Sequence, residues 1–359
     1  MAKVLHTADI HLKEVDDERW EALKILLKVA KDKKVDVLTI AGDLFDKDVH
    51  SQQLRDKLRG LFSQLPFKIV ILPGNHDAHS YDSGEFFGEN VIIITDHQKP
   101  VVIDGLAIVG VPFASLTSAQ LSTIIDEAGE SFDPQLSSIL LMHAELADLF
   151  FSSADFGDEG DKRYLPIKLS MFDQSPFDYL LAGHFHTKFQ VKRLTNSRMK
   201  EGGFFLYPGS PVSITAREVG SRSAGLIEIG KPPQQITLDT AFYHPINIIF
   251  KPDDDSSKLS KIKKDLEKIP PHATGLLTVS GFFNQKVLKL NEEELHQTLK
   301  RLADQYHSQL DEQKFSVKDV SSVINSDLYQ LILEKINSQN KDSAEVDKLT
   351  QFLIAALSK

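Results

Sequence analysis

Five short polar motifs stand in the first half of the chain, and most of them directly follow a run of apolar residues. The motifs are Asp9-Ile10-His11, Gly42-Asp43, Gly74-Asn75-His76-Asp77, His143 and Gly183-His184-Phe185-His186. A short apolar run is typical of a buried strand, and ligands of open α/β sheets bind beyond the carboxyl ends of the strands. The pattern therefore predicts one site, to which several parallel strands deliver Asp, Asn and His side chains.

The spacing within the motifs supports a shared site. Side chains at positions i and i+2 of an extended segment point the same way, so Asp9 and His11 can bind one ion together, as can His184 and His186. Divalent metals would have these side chains as ligands: Asp9, His11, Asp43, Asn75, His143, His184 and His186. Two such metals suit the hydrolysis of phosphate esters.

Each motif by itself also has a structural explanation. An Asp-x-His triplet can be an accident of a surface sequence, a Gly-Asp after a strand is often only a turn, and a single histidine such as His143 can belong to a core. The joint occurrence of all five motifs argues against that explanation. Four other histidines lack such a context and are expected to be surface or structural residues: His6, His50, His79 and His97. Of these, His50 and His79 are close enough to the motifs in sequence to support the site indirectly.

The composition narrows the choice of metal and the expected location. The 359 residues include no cysteine, which excludes disulfides, zinc-thiolate sites and iron–sulfur clusters. Any metal must then be bound by His, Asp, Asn or Glu, ligands that suit Mn, Fe, Zn or Mg. Residues 1–9 lack the apolar core of a signal peptide, and no apolar stretch reaches the roughly 18 residues that span a membrane. We therefore expect a soluble, cytoplasmic protein.

The charge leaves nucleic acid open as a partner. A net charge of −10 argues against a broadly basic nucleic-acid-binding surface. Bound divalent cations would add positive charge at the site itself. Basic residues that could contact a phosphate backbone follow the last motif: Lys188, Lys192, Arg193, Arg198 and Lys200.

The alternation of apolar runs with amphipathic stretches predicts a layered α/β domain over residues 1–240. Strands that deliver the motifs are expected at residues 4–8, 35–41, 67–72, 137–142 and 177–182, and helices at 18–33 and 51–64. A long loop is expected at 152–163.

The pattern changes beyond residue 240. Residues 241–315 predict a small α+β domain with helices at 256–268 and 291–310, the second starting with a capping box of Asn291 and Glu294. Residues 316–359 predict two helices, at 317–336 and 344–357. The last helix carries an apolar stripe of Leu349, Phe352, Leu353 and Ala356, which would favour a partner if exposed.

The order of the five motifs resembles that of the calcineurin-like metallophosphoesterases over roughly residues 1–240. Three flanking segments most resemble the DNA repair exonucleases of that superfamily, the SbcD-type nuclease subunits: Leu5-His-Thr-Ala-Asp-Ile-His-Leu12, Ala41-Gly-Asp-Leu-Phe-Asp46 and Tyr207-Pro-Gly-Ser210. The segment from Arg163 to Ile167 is similar to a bacterial branch of the group. The implied fold is a layered β-sandwich with flanking helices, followed by a small α+β cap domain and C-terminal helices.

The resemblance also implies residue roles. One metal would be bound by Asp9, His11, Asp43 and His186, and a second by Asp43, Asn75, His143 and His184, so that Asp43 bridges the two. His76 would protonate the leaving oxygen or steady the phosphate, and Asp77 would orient His76 by accepting its other N–H. The family prefers manganese, although Mg, Fe or Zn suit the same ligands.

The implied function is a two-metal DNA exonuclease/endonuclease that hydrolyses phosphodiester bonds in double-strand break repair, with an SMC-like coiled-coil ATPase of the SbcC type as partner. Residues 241–315 would cap the DNA. Residues 316–359 would bind the ATPase or simply pack on their own chain. Two alternatives stay open: a metallophosphodiesterase or phosphatase acting on nucleotides or phosphoproteins, and a non-catalytic subunit that binds DNA ends or the ATPase.

A homodimer is also consistent with the resemblance, because family members commonly pair through helices near the N-terminal motifs. The helix predicted at 51–64 offers Leu54, Leu58, Leu61 and Phe62 for this purpose. The same residues could instead pack on the sheet.

Overall fold

The computed structural model of the protein describes residues 2–47, 49, 51–81, 86–147, 165–173, 175–195, 202–339 and 342–357. The chain divides into two units, Met1–Phe242 and Tyr243–Lys359. In the described ranges, none of the helices combines the length and the apolar character that crossing a membrane requires.

One six-stranded sheet of the first unit carries the N-terminal motifs. Its strands are β1 (Lys3–Thr7), β2 (Val37–Ala41), β3 (Lys68–Leu72), β4 (Val91–Ile93), β13 (Ser223–Glu228) and β14 (Gln234–Thr237). Their order is β14-β13-β1-β2-β3-β4. The strands from β1 to β4 are parallel, so their carboxyl ends share one edge. Strand β13 is antiparallel to β1, and β14 is antiparallel to β13.

A second six-stranded sheet carries the later motifs. Its strands are β5 (Val101–Ile103), β6 (Leu106–Val111), β7 (Ser137–His143), β10 (Tyr179–Gly183), β11 (Gln190–Leu194) and β12 (Gly203–Tyr207). Their order is β11-β12-β10-β7-β6-β5, with the four central strands parallel. Two short strands, β8 (Glu145–Leu146) and β9 (Pro166–Ile167), pair separately.

Helices flank these sheets in the described part of the first unit: α1 (Glu18–Lys33), α2 (Ser51–Phe62) and α3 (Ser118–Glu130). Helix α1 begins where the Asp17 carboxylate accepts a hydrogen bond from the Trp20 amide, at 2.7 Å, and ends at Lys34 in the left-handed conformation. On α2, the side chains of Leu54, Leu58 and Phe62 are buried in the core of their own chain. They are therefore occupied by packing on the sheet, and a homodimer stays a prediction.

Strand alternation explains the layers. Successive side chains of a strand point to opposite faces, so Ile69 and Ile71 of β3 join the core beneath α1 and α2, whereas Val70 and Leu72 join the core between the two sheets. A third apolar core lies between the second sheet and α3. The predicted α/β fold of layered sheets with flanking helices is confirmed.

The second unit is built on a smaller sheet. Its elements are β15 (Phe242–Phe250), α4 (Ser257–Leu266), β16 (Ala273–Phe283), α5 (Gln285–Leu288), α6 (Glu292–Gln305), β17 (Ser308–Leu310), β18 (Ser316–Asp319), α7 (Ser321–Ile324), α8 (Asp327–Asn337) and α9 (Ser343–Leu357). Strand β16 pairs with β15, β17 and β18. The capping box of Asn291 and Glu294 is present at the start of α6.

Two predictions for this unit are wrong in detail. The helix predicted at 317–336 is interrupted, because Val317 pairs with Gly281 in the sheet and buries its side chain there. The helix predicted at 291–310 ends at Gln305, since His307 adopts the left-handed conformation and the chain continues as β17. The loop predicted at 152–163 lies outside the described residues, and a domain boundary at residue 315 stays a prediction.

Candidate metal centre

The predicted site residues meet at the carboxyl ends of the parallel strands. The first sheet supplies residues that follow its strands: Asp9 and His11 after β1, Asp43 after β2, and Asn75 and His76 after β3. The second sheet supplies His143, the last residue of β7, and His184 and His186, which follow β10. All of them are buried except Asn75 and His76, which are half-buried.

Ligand atoms from the two sheets approach each other closely. Asp43 Oδ2 lies 3.2 Å from His143 Nε2 and 3.8 Å from His11 Nε2. Asp9 Oδ1 lies 3.6 Å from His186 Nε2 and 3.8 Å from His143 Nδ1. Asp43 and Asp9 are thus each surrounded by imidazole nitrogens.

The two remaining predicted ligands adjoin this group. Asn75 Oδ1 lies 2.8 Å from His143 Nε2. The His184 ring centroid lies 5.2 Å from that of His143, and the His184 amide donates to Asp9 Oδ1 at 3.0 Å. The structure therefore brings all seven predicted ligands together.

The donor set fits divalent cations. Ligand atoms within 4.8 Å of one another form three sets: Asp9, His11 and His186; Asp9, Asp43 and His143; and His11, Asp43 and His76. Among the described residues, no hydrogen-bond partner reaches His11 Nε2 or Asp43 Oδ2, although both atoms are buried. Burying a polar atom without a partner costs about 1–3 kcal/mol, and a cation shared by the two would remove that cost. How the ligands divide between two ions stays a prediction.

Four site residues adopt a backbone conformation that favours glycine. The φ angles are 56° at Asp9, 52° at His11, 52° at Asp43 and 91° at His184. Such conformations cost about 1–3 kcal/mol each in a non-glycine residue and cluster at functional sites. Here they turn the chain as it leaves a strand, while the Asp9 and His11 amides donate to Gly42 O at 3.1 Å and to Asp43 O at 2.9 Å.

Two motif glycines are required by close approach. A Cβ on Gly42, whose φ is 92°, would lie 2.0 Å from His143 Nδ1, and one on Gly74 would lie 2.1 Å from Asp43 Oδ1. A side chain at either position would displace a predicted ligand. This explains why Gly precedes Asp43 and Asn75 in the motifs.

The electrostatics of the site call for positive charge between the carboxylates. Burial raises the pKa of Asp9 to about 6, partly offset by His186 and His143. Burial also opposes the ionisation of Asp43, but His143 and His11 outweigh it and lower the pKa of Asp43. Although burial lowers the pKa of His143, Asp43 and Asp9 raise it to about 10. The carboxylates thus stabilise a cationic partner at this position.

The hydrogen bonds of Asp77 give it a second role, and its predicted contact with His76 stays a prediction. Its Oδ1 accepts from the Gly74 amide at 2.7 Å, and its Oδ2 accepts from the Leu44 amide at 2.8 Å and the Tyr81 hydroxyl at 3.0 Å. Asp77 therefore ties the loop after β3 to the loop after β2. The carboxylate beside His76 is that of Asp46, whose Oδ1 lies 3.8 Å from His76 Nδ1.

Sequence reasoning missed Asp46 and Arg19 as site residues. Arg19 donates to Asp46 Oδ2 at 2.5 Å and to the His11 carbonyl at 2.5 Å. Burial opposes the ionisation of Asp46, but the hydrogen bond from Arg19 contributes to a lowered pKa. The position of Asp46, three residues beyond Asp43 in a motif already identified, was the available signal.

A second missed pair, Glu218 and Arg222, lies buried beside His186. Glu218 Oε1 is 3.3 Å from His186 Nδ1, and Arg222 donates to the His186 carbonyl. Burial opposes the ionisation of Glu218, but His186 and the Ile214 amide help to lower its pKa to about 2. No motif marks either residue in the sequence.

Of the four histidines without a motif, the three in the described residues belong to none of the ligand sets above. His6 is buried in β1, with Nδ1 3.0 Å from Thr39 Oγ1 and Nε2 3.4 Å from Ala182 O. His79 is exposed, and His97 Nε2 is 2.8 Å from Glu127 Oε2. His50 lies outside the described residues.

Residues 2–188 match the sequence profile of the calcineurin-like phosphoesterases, and the chain belongs to this family. Its members hydrolyse phosphoester bonds and use two divalent metals. The chain is also similar to solved structures. TT1561 of Thermus thermophilus is 14% identical with a TM-score of 0.43, covering 66% of this chain and 98% of that chain. A dimetal phosphatase from Danio rerio is 10% identical with a TM-score of 0.42, covering 66% and 98%. The phosphopantetheinyl hydrolase of Mycobacterium tuberculosis is 14% identical with a TM-score of 0.35, covering 58% and 90%.

Proposed function

We propose that this phosphoesterase is a DNA exonuclease/endonuclease that depends on two divalent metals and acts in double-strand break repair with an SMC-like coiled-coil ATPase. Phosphoester hydrolysis follows from the family. We propose in addition that the substrate is DNA, that the native metal is manganese and that the partner is the ATPase.

The proposed ligands are the seven side chains at the sheet edges. Asp9, His11, Asp43 and His186 would hold one metal, and Asp43, Asn75, His143 and His184 the other, with manganese as the native ion. When bound, the metals lower the pKa of a water molecule and bind the phosphate oxygens. The residues themselves supply a pocket in which two buried carboxylates compensate that charge.

His76 is proposed to carry a proton. It is half-buried at the rim of the ligand group, with its ring centroid 4.8 Å from that of His11. Asp46 Oδ1 lies 3.8 Å from its Nδ1 and would orient the ring. The other ring nitrogen can then donate its proton to the leaving oxygen of the scissile bond.

The assignment to DNA rests on the position of the three segments that flank the motifs and resemble the SbcD-type nucleases. The segments that resemble the SbcD-type nucleases adjoin the ligands. Tyr207 donates to Ala144 O at 2.6 Å, next to His143, and Ser210 contacts Glu218, which contacts His186. These similarities are therefore concentrated in the walls of the site, where substrate would bind.

Exposed lysines next to the site support an anionic polymer as substrate. Lys13 and Lys188 each lie two residues beyond a predicted ligand, and both are exposed in a chain of net charge −10. Lys192 and Arg193 lie on β11, of which Arg193 is exposed. Cations at such positions neutralise backbone phosphates on either side of a scissile bond. Arg198 and Lys200 lie outside the described residues.

The second unit supports a protein partner. Large apolar side chains on its helices are exposed: Leu328 by 56% and Leu331 by 66% on α8, and Phe352 by 63% on α9. Large apolar side chains exposed on amphipathic helices are typical of a surface that binds another helix. We assign it to the coiled coil of the ATPase.

The test is digestion of linear DNA with added Mn²⁺. Purified protein is expected to degrade DNA in Mn²⁺, to lose activity in EDTA, and to lose it on Asp43→Asn substitution. A small phosphodiester assayed in parallel separates the chemistry from the substrate. If the protein hydrolyses the small diester and leaves single- and double-stranded DNA intact, the DNA assignment fails and a nucleotide phosphodiesterase replaces it.

A further inference from the structure

The segment between β12 and β13 contains two buried charged side chains that no motif predicts. Glu218 and Arg222 stand in a connection that would ordinarily lie at the surface, yet both are buried. Charged side chains are buried this fully only when hydrogen bonds compensate the loss of water. Their partners therefore show what this segment does.

Arg222 binds the backbone at the end of the last motif. Its guanidinium donates to the His186 carbonyl, to the Thr187 carbonyl at 3.2 Å and to the Ser210 carbonyl at 3.0 Å. It also donates to the Ser210 hydroxyl at 2.9 Å. The fork of N–H groups thus fixes the backbone that carries His186 relative to Ser210.

Glu218 binds the side chain of the same histidine. Its Oε1 lies 3.3 Å from His186 Nδ1. Its Oε2 accepts from the Ile214 amide at 2.9 Å and lies 2.9 Å from the Ser210 hydroxyl. Because Oε2 is already bound, the carboxylate can rotate little, and Oε1 is held toward the imidazole ring.

This contact determines where the proton of a neutral His186 sits. An ionised carboxylate only accepts hydrogen bonds, so Nδ1 of His186 carries the proton and Nε2 keeps its lone pair. That Nε2 is the atom 3.6 Å from Asp9 Oδ1. His143 also has an acceptor on its Nδ1 side, since that atom lies 2.9 Å from the Ala41 carbonyl.

We propose that Glu218 is a positioning residue that holds the His186 ring in the Nδ1–H tautomer, with its Nε2 lone pair directed at the metal site. Arg222 and Ser210 fix the position of Glu218 relative to the backbone of His186. The expected effect of Glu218 on metal affinity rests on the proposed metal centre. The tautomer itself is a property of the metal-free protein.

A merely structural role for Glu218 makes a different prediction. If Glu218 served only to compensate Arg222 within the segment, its loss would lower stability without changing the tautomer of His186. Substitution by Gln distinguishes the two roles, because it keeps the shape and removes the charge. The Gln amide has one acceptor and one donor end, so either its NH₂ opposes the Ile214 N–H or its NH₂ faces His186 Nδ1. The first arrangement keeps an acceptor at Nδ1 but sets two donors against each other at Ile214, whereas the second sets a donor against Nδ1 and favours Nε2–H. The Nδ1–H form is therefore populated less than in wild type.

The experiment compares wild type with Glu218→Gln, Glu218→Ala and Glu228→Gln. The last variant is the control, because Glu228 pairs with Lys231 at the surface, on the strand that follows this segment. The His186 tautomer is read in EDTA from ¹⁵N shifts of labelled imidazoles, assigned with a His186→Asn variant. Binding of Mn²⁺ is titrated by electron paramagnetic resonance, and folding is checked by circular dichroism.

We expect wild type and Glu228→Gln to show Nδ1–H at His186, and both Glu218 variants to show a mixture of tautomers. Losing a group that orients a ligand typically lowers metal affinity about 10- to 100-fold, with Gln at the smaller end and Ala at the larger. An unchanged tautomer and unchanged Mn²⁺ affinity in folded Glu218→Gln would overturn the inference, even if Glu218→Ala fails to fold. If wild type binds Mn²⁺ but leaves DNA intact, the nuclease proposal fails while the role of Glu218 stands.

Discussion

The two units of the chain differ in where they bury charge and in which of them exposes large apolar side chains on helices. The first unit buries carboxylates and imidazoles at the edges of its sheets, among them Asp9, Asp43 and His143, and holds several of them in a strained backbone conformation. In the second unit none of the described Asp, Glu, Lys or Arg side chains is buried, and large apolar side chains such as Leu331 and Phe352 are exposed on helices.

This difference separates two kinds of function. Buried charge and backbone strain lower stability, so a fold retains them where they do chemistry. Exposed apolar surface lowers solubility, so it is retained where another molecule covers it. The first unit is therefore expected to respond to substitution through turnover and pH, and the second through association.

The largest effect is expected for Asp43→Asn in the first unit. Asp43 contacts imidazoles from both sheets, so its loss should remove turnover almost completely, beyond the roughly 10²- to 10⁴-fold typical of losing a proton-transfer residue. Turnover with Mn²⁺ and metal content by mass spectrometry measure this. Asp178→Asn is the control, because Asp178 is also buried but accepts from the Ser138 amide at 2.9 Å. That control should lose stability and keep its metal; equal metal loss in both variants would mean that Asp43 is not a ligand.

His76→Gln comes next and tests whether His76 belongs to the proton-transfer group or to the ligands. We expect turnover to fall by about 10²- to 10⁴-fold with metal content near that of wild type.

Asp46→Asn should lower turnover by about 10-fold, as typical for a group that orients another. The double variant should be no slower than His76→Gln alone, since Asp46 acts through His76. Loss of metal in His76→Gln would make it a ligand, as its place near His11 and Asp43 also permits.

A pH effect on stability is expected from His6. Burial lowers the pKa of His6 to about 3, from an ordinary value of 6.5, against the raising effect of the Ala182 carbonyl. Between these values the unfolded state binds more protons, so the stabilisation is complete above pH 6.5 and declines as the pH falls toward 3. The slope is at most about 1.4 kcal/mol per pH unit. Denaturant unfolding in EDTA should show a shallower slope for His6→Gln than for wild type or the His97→Gln control; parallel slopes would refute the prediction.

A smaller effect is expected from the lysines beside the site. Replacing Lys13 and Lys188 by Ala should weaken DNA binding at low salt and reduce the slope of log affinity against log salt by about 0.9 for each duplex phosphate that is no longer neutralised. Binding is measured in EDTA, which prevents cleavage. Lys24→Ala is the control, since Lys24 is also an exposed lysine paired with a carboxylate, that of Glu21 on α1, as Lys13 is with Asp46, but follows no predicted ligand. If all three substitutions change the slope equally, the effect is not specific to the site.

The smallest effect on the isolated protein is expected for Leu331→Ser in the second unit. Because the side chain is exposed, the free energy of unfolding should change by no more than about 0.5 kcal/mol, and turnover on short DNA should not change. Binding to a purified coiled-coil ATPase should weaken. Leu333→Ser is the matched control, since Leu333 packs against the cluster of Val320, Tyr329 and Ile354 and its loss should destabilise the unit by more than about 1 kcal/mol. Unchanged ATPase binding in Leu331→Ser would remove α8 from the docking surface.

Prediction from sequence worked best where one periodicity dominates. Helix α1 has the predicted bounds because its apolar residues recur at helical spacing, and the structure shows in addition that Asp17 caps it. The motifs predicted which side chains meet, because each motif lies at the carboxyl end of a strand. Val317 was assigned to a helix since its pairing with Gly281 is a contact distant in sequence, and α3 was not predicted. Glu218 could not be found, because its role depends on a contact with His186 across 32 residues.

The left-handed conformations at positions 9, 11, 43 and 184 also bear on how such a chain can change over time. Glycine adopts this conformation most readily. At each of these positions, the residue with the least backbone strain therefore has no side chain that could bind a metal. Random drift under selection for stability alone would favour glycine there. Two aspartates and two histidines stand at these turns instead, so this chain accepts backbone strain where a side chain can contribute to the site.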